Sequence, residues 1–482
     1  MPKRKTPGAE PPIVSLVNLG CAKNLVDSER ILGALAESGF LIAQDPGIAE
    51  VCLVNTCGFI DEARRETAEV LRELHELKAG GRLKTVVALG CLVERAADAS
   101  ELGRFLQHAD ARLGFKDYPD LPKIVRELVE AGGDAARYAE AARSYAEGPA
   151  QSAAKKKVPK SYNDFLVAPR LRIGPRHHAF LKISEGCNNP CRFCSIPRMR
   201  GLQVSRPVEE LVEEARRLAG DGVQELSLIA QDTTSYGKDL YGEYRLAALL
   251  EALKAVEGPR WFRLMYAYPR FLTAEMLDVL ASDPRFCPYI DMPLQHVADR
   301  LLESMKRMVT KDETLAILDL IERKLPGAAL RTTFIVGYPD ETEADFLELL
   351  DFVKQGRFTH AGVFLYSNEP LTPAAREPDR VPLEEKLRRR EALMLAQREV
   401  SRARMARRVG ERVEVLLDGP PPAGQDVPAG VKAVGRTSRE ALEVDGVVYL
   451  KGRGVARKPP GSWIPARIVE SLEYDLVAEP AK

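Results

Sequence analysis

Short apolar runs rich in branched residues recur in the first third of the chain, at residues 13–19, 51–54 and 85–89. Each is followed by a stretch whose apolar positions repeat at helical spacing, at 28–38, 61–78 and 94–106. Continuous apolar strands of this length are those buried on both faces, and strand–helix alternation predicts a parallel α/β layer. From about residue 132 to 176 the pattern gives way to Ala, Gly, Lys and Pro, including Ala153-Ala154-Lys155-Lys156-Lys157. That composition predicts a linker, helical in part near 135–146. Alternation then resumes, with candidate strands at 179–184, 225–230, 262–267, 289–292, 330–336 and 362–366. Six βα units predict an open, partial (β/α)6 barrel, whose chemistry sits at the C-terminal ends of its strands. An arginine-rich helical stretch at 383–408 closes it. Beyond Gly410, short alternating segments at 412–417, 441–444, 447–450 and 466–471 stand among Gly and Pro. They predict a small all-β barrel. The fold class is therefore α/β with an all-β appendix, divided at 12–148, a linker at 149–176, 177–408 and 409–482.

A chain of 482 residues accommodates this division, since about 150 residues per domain is usual. Lys+Arg and Asp+Glu both total 70, giving a formal net charge of zero. A chain devoted to gripping bare nucleic acid carries a basic excess, so that class is disfavoured. No segment approaches the 18 or so apolar residues of a membrane span, which places the protein in the cytoplasm. Eight cysteines are too few for a disulfide scaffold, and in a reducing compartment they point to metal or catalytic chemistry.

Their positions decide which. Gly186-Cys187-Asn188-Asn189-Pro190-Cys191-Arg192-Phe193-Cys194 spaces three thiols as C-x3-C-x2-C, directly after the first strand of the barrel. Three thiolates can hold three corners of a [4Fe–4S] cube and leave one iron open, and an open metal position marks catalysis. A structural zinc site would need a fourth ligand, and His177 and His178 lie upstream across a strand. The spacing resembles the radical S-adenosylmethionine superfamily. The resemblance implies that Cys187, Cys191 and Cys194 hold a catalytic cluster. It further implies that S-adenosylmethionine chelates the open iron and is split to a 5′-deoxyadenosyl radical.

Cys21, Cys57 and Cys91 each stand just past one of the three N-terminal strands, at intervals of 36 and 34 residues, or about one βα unit. Cysteines at the carboxyl ends of neighbouring parallel strands converge on one edge of the sheet, where α/β folds place ligands. Glycine beside each thiol permits close backbone approach. A second cluster with three thiolates follows; the alternative is three buried structural cysteines. Cys52, inside a strand, and Cys287, just before one, read as core. Two cysteine triads with a small β module behind them resemble the methylthiotransferase family over nearly the whole chain. That family implies two [4Fe–4S] clusters, one making the radical and one supplying or holding sulfur, with a C-terminal TRAM domain holding substrate. Replacing an unactivated C–H by C–S offers nothing for acid–base catalysis to work on, so a radical route fits the chemistry.

Polar loops end the other barrel strands. Gln231 and Asp232 after the second are the candidates for cofactor binding, whereas His296 after the fourth reads as structural. The arginines of 388–408 read as a solvated face ahead of a phosphate grip. Within the family, Leu19-Gly20-Cys21-Ala22-Lys23-Asn24-Leu25-Val26-Asp27-Ser28-Glu29, Asn55-Thr56-Cys57-Gly58-Phe59-Ile60, Ile196-Pro197-Arg198-Met199-Arg200-Gly201 and Gln231-Asp232-Thr233 resemble the branch that modifies small-subunit ribosomal protein S12. The substrate so implied is the β-carbon of an aspartate; the alternative branch modifies a tRNA adenosine beside the anticodon. Ala22 departs from the family's proline, and Asp340 from its glycine. From Glu411 onward ten Lys/Arg face eleven Asp/Glu, which suits a basic ribosomal protein better than a phosphate backbone. The expected partners are ribosomal protein S12, an electron donor and a sulfur source, with nucleic-acid contact secondary. An electron-transfer protein would want four cysteines per cluster and no barrel. A plain RNA binder would leave the cysteines without a role.

Overall fold

The computed structural model describes residues 10–132, 165–424 and 427–481. The helix expected near 135–146 and the run Ala153–Lys157 lie outside them. The chain divides into two compact units. The first runs to Ile173 and includes Gly186–Asn188 and Ser195–Gln203; the second holds Gly174–Glu185, Asn189–Cys194 and everything from Val204 onward.

The first unit is built on a parallel five-stranded sheet: β1 (Ile13–Asn18), β2 (Leu41–Ala43), β3 (Val51–Thr56), β4 (Thr85–Gly90) and β5 (Ala111–Leu113). Its order is β2-β1-β3-β4-β5. The three apolar runs form its centre, and every residue of β3 and β4 is buried. Its edge strands, three residues each, are too short to show a period. Helix α1 (Ala22–Glu37) starts directly after Cys21, six residues before the expected 28, because its first half buries Asn24, Asp27, Ser28 and Glu29. Polar residues there conceal the helical stripe. Helix α2 is Asp61–Lys78, as its period predicts. The helix expected at 94–106 is instead α3 (Cys91–Asp98) and a 3-10 turn, Ser100–Leu106, parted by extended backbone at Ala99. Helix α4 (Leu121–Glu130) completes the layer. Strand order reverses between β1 and β3, and loops at the carboxyl ends beside such a reversal form the ligand crevice of α/β sheets.

In the second unit six parallel strands follow chain order around an open sheet: β6 (His178–Lys182), β9 (Glu225–Ile229), β10 (Trp261–Leu264), β11 (Phe286–Asp291), β12 (Ala329–Val336) and β13 (His360–Leu365). A two-stranded ribbon, β7 (Ser184–Glu185) with β8 (Val204–Ser205), brackets the cysteine loop. Cys287 lies within β11 and not before it; it is buried, as a core residue should be.

The C-terminal module is a closed barrel of β14 (Arg412–Gly419), β15 (Val431–Arg436), β16 (Val448–Lys451), β17 (Trp463–Ser471) and β18 (Leu476–Pro480), in the order β14-β15-β16-β18-β17. The strand expected at 441–444 does not exist. Its alternation is a turn in which Asp445 accepts the Ala441 N–H and the Val444 and Asp445 N–H groups return to the Ala441 carbonyl. Strands β15 and β18 were not expected.

This barrel is fastened to the N-terminal ends of the open sheet by buried charge. Glu225, the first residue of β9, accepts from Arg263 Nε at 2.7 Å and from Arg436 Nη1 at 2.6 Å. Arg436 also reaches Asp418, which meets His177 Nε2 at 2.9 Å. Trp463 Nε1 donates to Gln224 Oε1, and the Trp261 and Trp463 rings pack edge-on at 4.7 Å. The two arginines hold the Glu225 carboxyl well below the usual range despite its burial. Breaking a buried pair leaves an uncompensated charge, at a cost of about 3–5 kcal/mol. Arg436→Met is therefore expected to shift unfolding by roughly that amount. Fluorescence reads it directly, because both tryptophans of the chain sit here. A change below about 1 kcal/mol would show that the network contributes no more than a surface pair.

Candidate functional site

The loops after β1, β3 and β4 carry Cys21, Cys57 and Cys91. Cys21 and Cys57 follow the two strands that flank the order reversal. Cys21 is the N-cap of α1 and Cys91 the first residue of α3, so the positive ends of two helices face a site suited to an anionic group. The loops are pressed together: a Cβ on Gly20, at φ +88°, would lie 2.8 Å from the Cys57 Cβ and 3.1 Å from its Sγ. A Cβ on Gly90, at φ +86°, would meet Asn55 Oδ1 at 2.3 Å. Glycine is thus required here by loop-to-loop contact.

Polar side chains fix this arrangement. Asn24 donates to the carbonyls of Leu19 and Thr56 at 2.8 and 3.1 Å, joining the Cys21 and Cys57 loops. Asn55 donates to the Asn24 carbonyl and to Ser28. Buried Arg200 donates from Nε to Cys91 Sγ at 3.3 Å and from Nη1 to Asp27 at 3.0 Å, and also reaches Asn24 Oδ1. Its guanidinium lies over the Phe115 ring at 5.1 Å. Burial pushes the Cys91 thiol up to about 12, with Arg200 pulling the other way. Cys57 is raised by burial too. A thiolate in this pocket needs a metal or a cation to sustain it.

Cys187, Cys191 and Cys194 lie on the loop between β7 and β8. The Cys187 N–H donates to the Gly201 carbonyl at 3.1 Å, and the Cys194 N–H to that of Cys191 at 3.3 Å. Arg307 Nη1 donates to Cys191 Sγ at 3.5 Å while its guanidinium covers the Tyr268 ring at 4.2 Å. Arg192 is paired with Glu377 at 2.6 Å, and Phe193 packs against Leu301, Met305, Tyr338 and Tyr366.

The strand-end residues expected to bind cofactor hold this loop. Asp232 accepts from Asn189 Nδ2, between Cys187 and Cys191, at 2.7 Å, and from Thr234 and Ser235. Its burial raises its pKa, against which these bonds work. Gln231 Nε2 donates to Glu185, itself paired with Lys182, and leaves its buried Oε1 unsatisfied.

Of the histidines, His178 bonds Ser227 and burial brings its pKa down to about 3, so it is neutral. His177 is paired with Asp418, away from the cysteines. His296 accepts from the Ala298 N–H at Nδ1, while its buried Nε2 lies 3.5 Å from Glu341 Oε1 without a hydrogen bond. The arginine-rich helix, Leu383–Arg407, is neither a plain solvated face nor a phosphate grip at its ends. Arg389 is buried against Glu341 and Glu385, and Arg408, just past it, against Glu440.

Sequence reasoning missed Asn24, Asp27, Arg200 and Arg307 as site residues. The first three stand in the branch-like motifs, so a signal was there; Arg307 stands in none. Non-glycine residues with left-handed backbone cluster just past the strand ends: Tyr266 at φ 59°, Gln295 at 77° and Asp340 at 65°. Such backbone gathers where surrounding structure over-determines a site. It also explains the family's glycine at the position Asp340 occupies.

Among the described residues no three His, Cys, Asp or Glu side chains are gathered closely enough to hold one metal ion. A four-iron cube takes its thiolates at separate corners, wider apart than ligands on one ion. Three thiols at one sheet edge, two helix N-termini and a guanidinium fit such an anionic group at the N-terminal triad. In the second unit, Cys191 and Cys194 with the Arg307 guanidinium at Cys191 offer thiols and a counter-charge of the kind such a group takes.

Three family models match: "Uncharacterized protein family UPF0004" over residues 14–114, "Radical SAM superfamily" over 181–353 and "TRAM domain" over 409–480. The chain is 44% identical to the ribosomal protein uS12 methylthiotransferase RimO of Anaeromyxobacter sp. (strain K), over 96% of this chain and 92% of that one. It is 38% identical to that of Clostridioides difficile (strain 630), over 97% and 98%. Among solved structures, the radical S-adenosylmethionine methyltransferase TsrM from Kitasatospora setae matches with a TM-score of 0.50 at 18% identity, covering 76% of this chain and 77% of that one. That likeness concerns the fold.

Proposed function

The chain belongs to the ribosomal protein uS12 methylthiotransferase family, and on that premise we propose that it replaces C–H by C–SCH3 on the β-carbon of an aspartate in uS12. Two [4Fe–4S] clusters and S-adenosylmethionine serve the reaction. Cys187, Cys191 and Cys194 would hold one cluster, and Cys21, Cys57 and Cys91 the other. When bound, these groups supply a 5′-deoxyadenosyl radical and the sulfur to be transferred. The observation that carries the reading is the pairing of a C-x3-C-x2-C loop with three further cysteines at the carboxyl ends of neighbouring parallel strands.

The chain's own residues prepare the setting. Asp232, through Asn189, and Gln231, through Glu185, fix the cysteine loop against the strand ends. Arg307 offsets negative charge at Cys191. The TRAM-like module, near neutral in charge, suits a basic protein, with nucleic-acid contact secondary. An electron donor and a sulfur source complete the set of partners, because sulfonium cleavage consumes an electron and each transfer consumes sulfur. No described helix is long and apolar enough to cross a membrane; a ribosomal-protein substrate supports a cytoplasmic location.

Mass spectrometry of a strain lacking the gene tests the reading. Its uS12 should be lighter by about 46 Da, the replacement of SCH3 by H, with tRNA unaltered. Loss of a methylthio-adenosine with uS12 unchanged would transfer the assignment to the tRNA branch.

A further inference from the structure

Arg200 stands in none of the cysteine motifs, yet its side chain enters the N-terminal triad. It is 4% exposed, its partner Asp27 is fully buried, and its Nε donates to Cys91 Sγ at 3.3 Å. A buried guanidinium is costly unless its donors are met, and here they are aimed: Nε to sulfur, the two terminal nitrogens to Asp27 and Asn24, and its flat face over the Phe115 ring. Asn24 also ties the Cys21 and Cys57 loops together, so the residue that orients Arg200 orients the other two cysteines as well. All of these residues lie in one compact unit.

We infer that Arg200 is a positioning residue of the N-terminal cluster, holding Cys91 by an N–H···S bond and offsetting the negative charge of the bound group. The inference rests on the reading of Cys21, Cys57 and Cys91 as ligands. Its physical content is that hydrogen bonds to ligand sulfur, and positive charge beside it, raise a cluster's reduction potential by stabilising the more negative, reduced state. Asp27 fixes the guanidinium in place. Asp27 cancels part of its charge as well, so the directed bond to sulfur carries most of the effect.

The test uses the full chain carrying Cys187→Ala, Cys191→Ala and Cys194→Ala, which leaves the N-terminal cluster as the reporter. After anaerobic reconstitution, its potential is titrated by electron paramagnetic resonance with Arg200, Arg200→Lys and Arg200→Gln. The glutamine variant should favour the oxidised cluster at least tenfold, a fall of about 59 mV for one electron. Lysine, which keeps the charge without the fork, should fall between. Should Arg200→Gln fail to fold because Asp27 is left unpaired, Asp27→Asn with Arg200→Gln removes that stress and should show the same lowered potential. A parental potential in a folded glutamine variant, whatever happens to its thermal stability, overturns the inference and leaves Arg200 a structural residue only. Failure of the Arg200-containing protein to take up iron, by contrast, overturns the ligand reading itself.

Discussion

Replacing Cys187, Cys191 or Cys194 with alanine is expected to abolish 5′-deoxyadenosine formation, to the detection limit, while the N-terminal cluster persists. Two thiolates cannot seat a cube that needs three, and S-adenosylmethionine then has no open iron to chelate. Iron should fall from about eight to about four per chain, since each cubane cluster holds four. Anaerobic product analysis beside iron and sulfide determination reads both quantities on one sample. Sustained cleavage of S-adenosylmethionine by a variant that has lost the barrel cluster would remove these cysteines from the reaction. Loss of all iron would instead show that the two sites are built interdependently.

The mirror experiment takes Cys21, Cys57 or Cys91 to alanine. Again about half the iron should go, but the losses fall elsewhere: 5′-deoxyadenosine still forms, and methylthio transfer to uS12 stops. The separation follows from the chain, because these three residues sit at the edge of their own sheet with their own charge partners. Transfer at the parental rate by any of the three variants would mean that convergence on one sheet edge has another purpose, such as core packing. The two sets of variants must therefore fail in different products.

Much of the fold was readable in the sequence, and the reason is burial. Strands β3 and β4 are buried throughout and mostly apolar because both faces are covered, β1 keeps enough of that pattern to be read with them, and most strands of the open sheet announce themselves similarly. The convergence of Cys21, Cys57 and Cys91 was legible for a different reason: three thiols after three neighbouring parallel strands need only topology to meet. What escaped was polar residues with interior tasks. Asn24 and Asp27 lie on α1, where a polar residue reads as solvent-facing, and only the packing of other elements shows them to be fully buried. Arg200 escaped because its partners are distant in sequence. Gln231 and Asp232 were legible as important, but their work of bracing the cysteine loop was not. In the barrel, β15 carries Lys432, Gly435 and Arg436 and so lacks a clean alternation. Residues 441–444 have that alternation and form a turn.

The clasp of Glu225, Arg263 and Arg436 has a consequence for anyone recombining family members. The barrel at the end of such a chain looks like a portable cartridge, to be exchanged at the junction near Gly410 to redirect an enzyme toward a new target. Here the cartridge is keyed. An incoming barrel without an arginine at position 436 would leave Glu225 with one counterion where it has two. A host sheet without Glu225 would leave Arg263 buried without its carboxylate and Arg436 with Asp418 alone. Positions 225, 263 and 436 must therefore travel together, with Gln224 and Trp463 beside them. In a chimera that ignores them, loss of activity would report a mismatched lock before it reported anything about which target the barrel prefers.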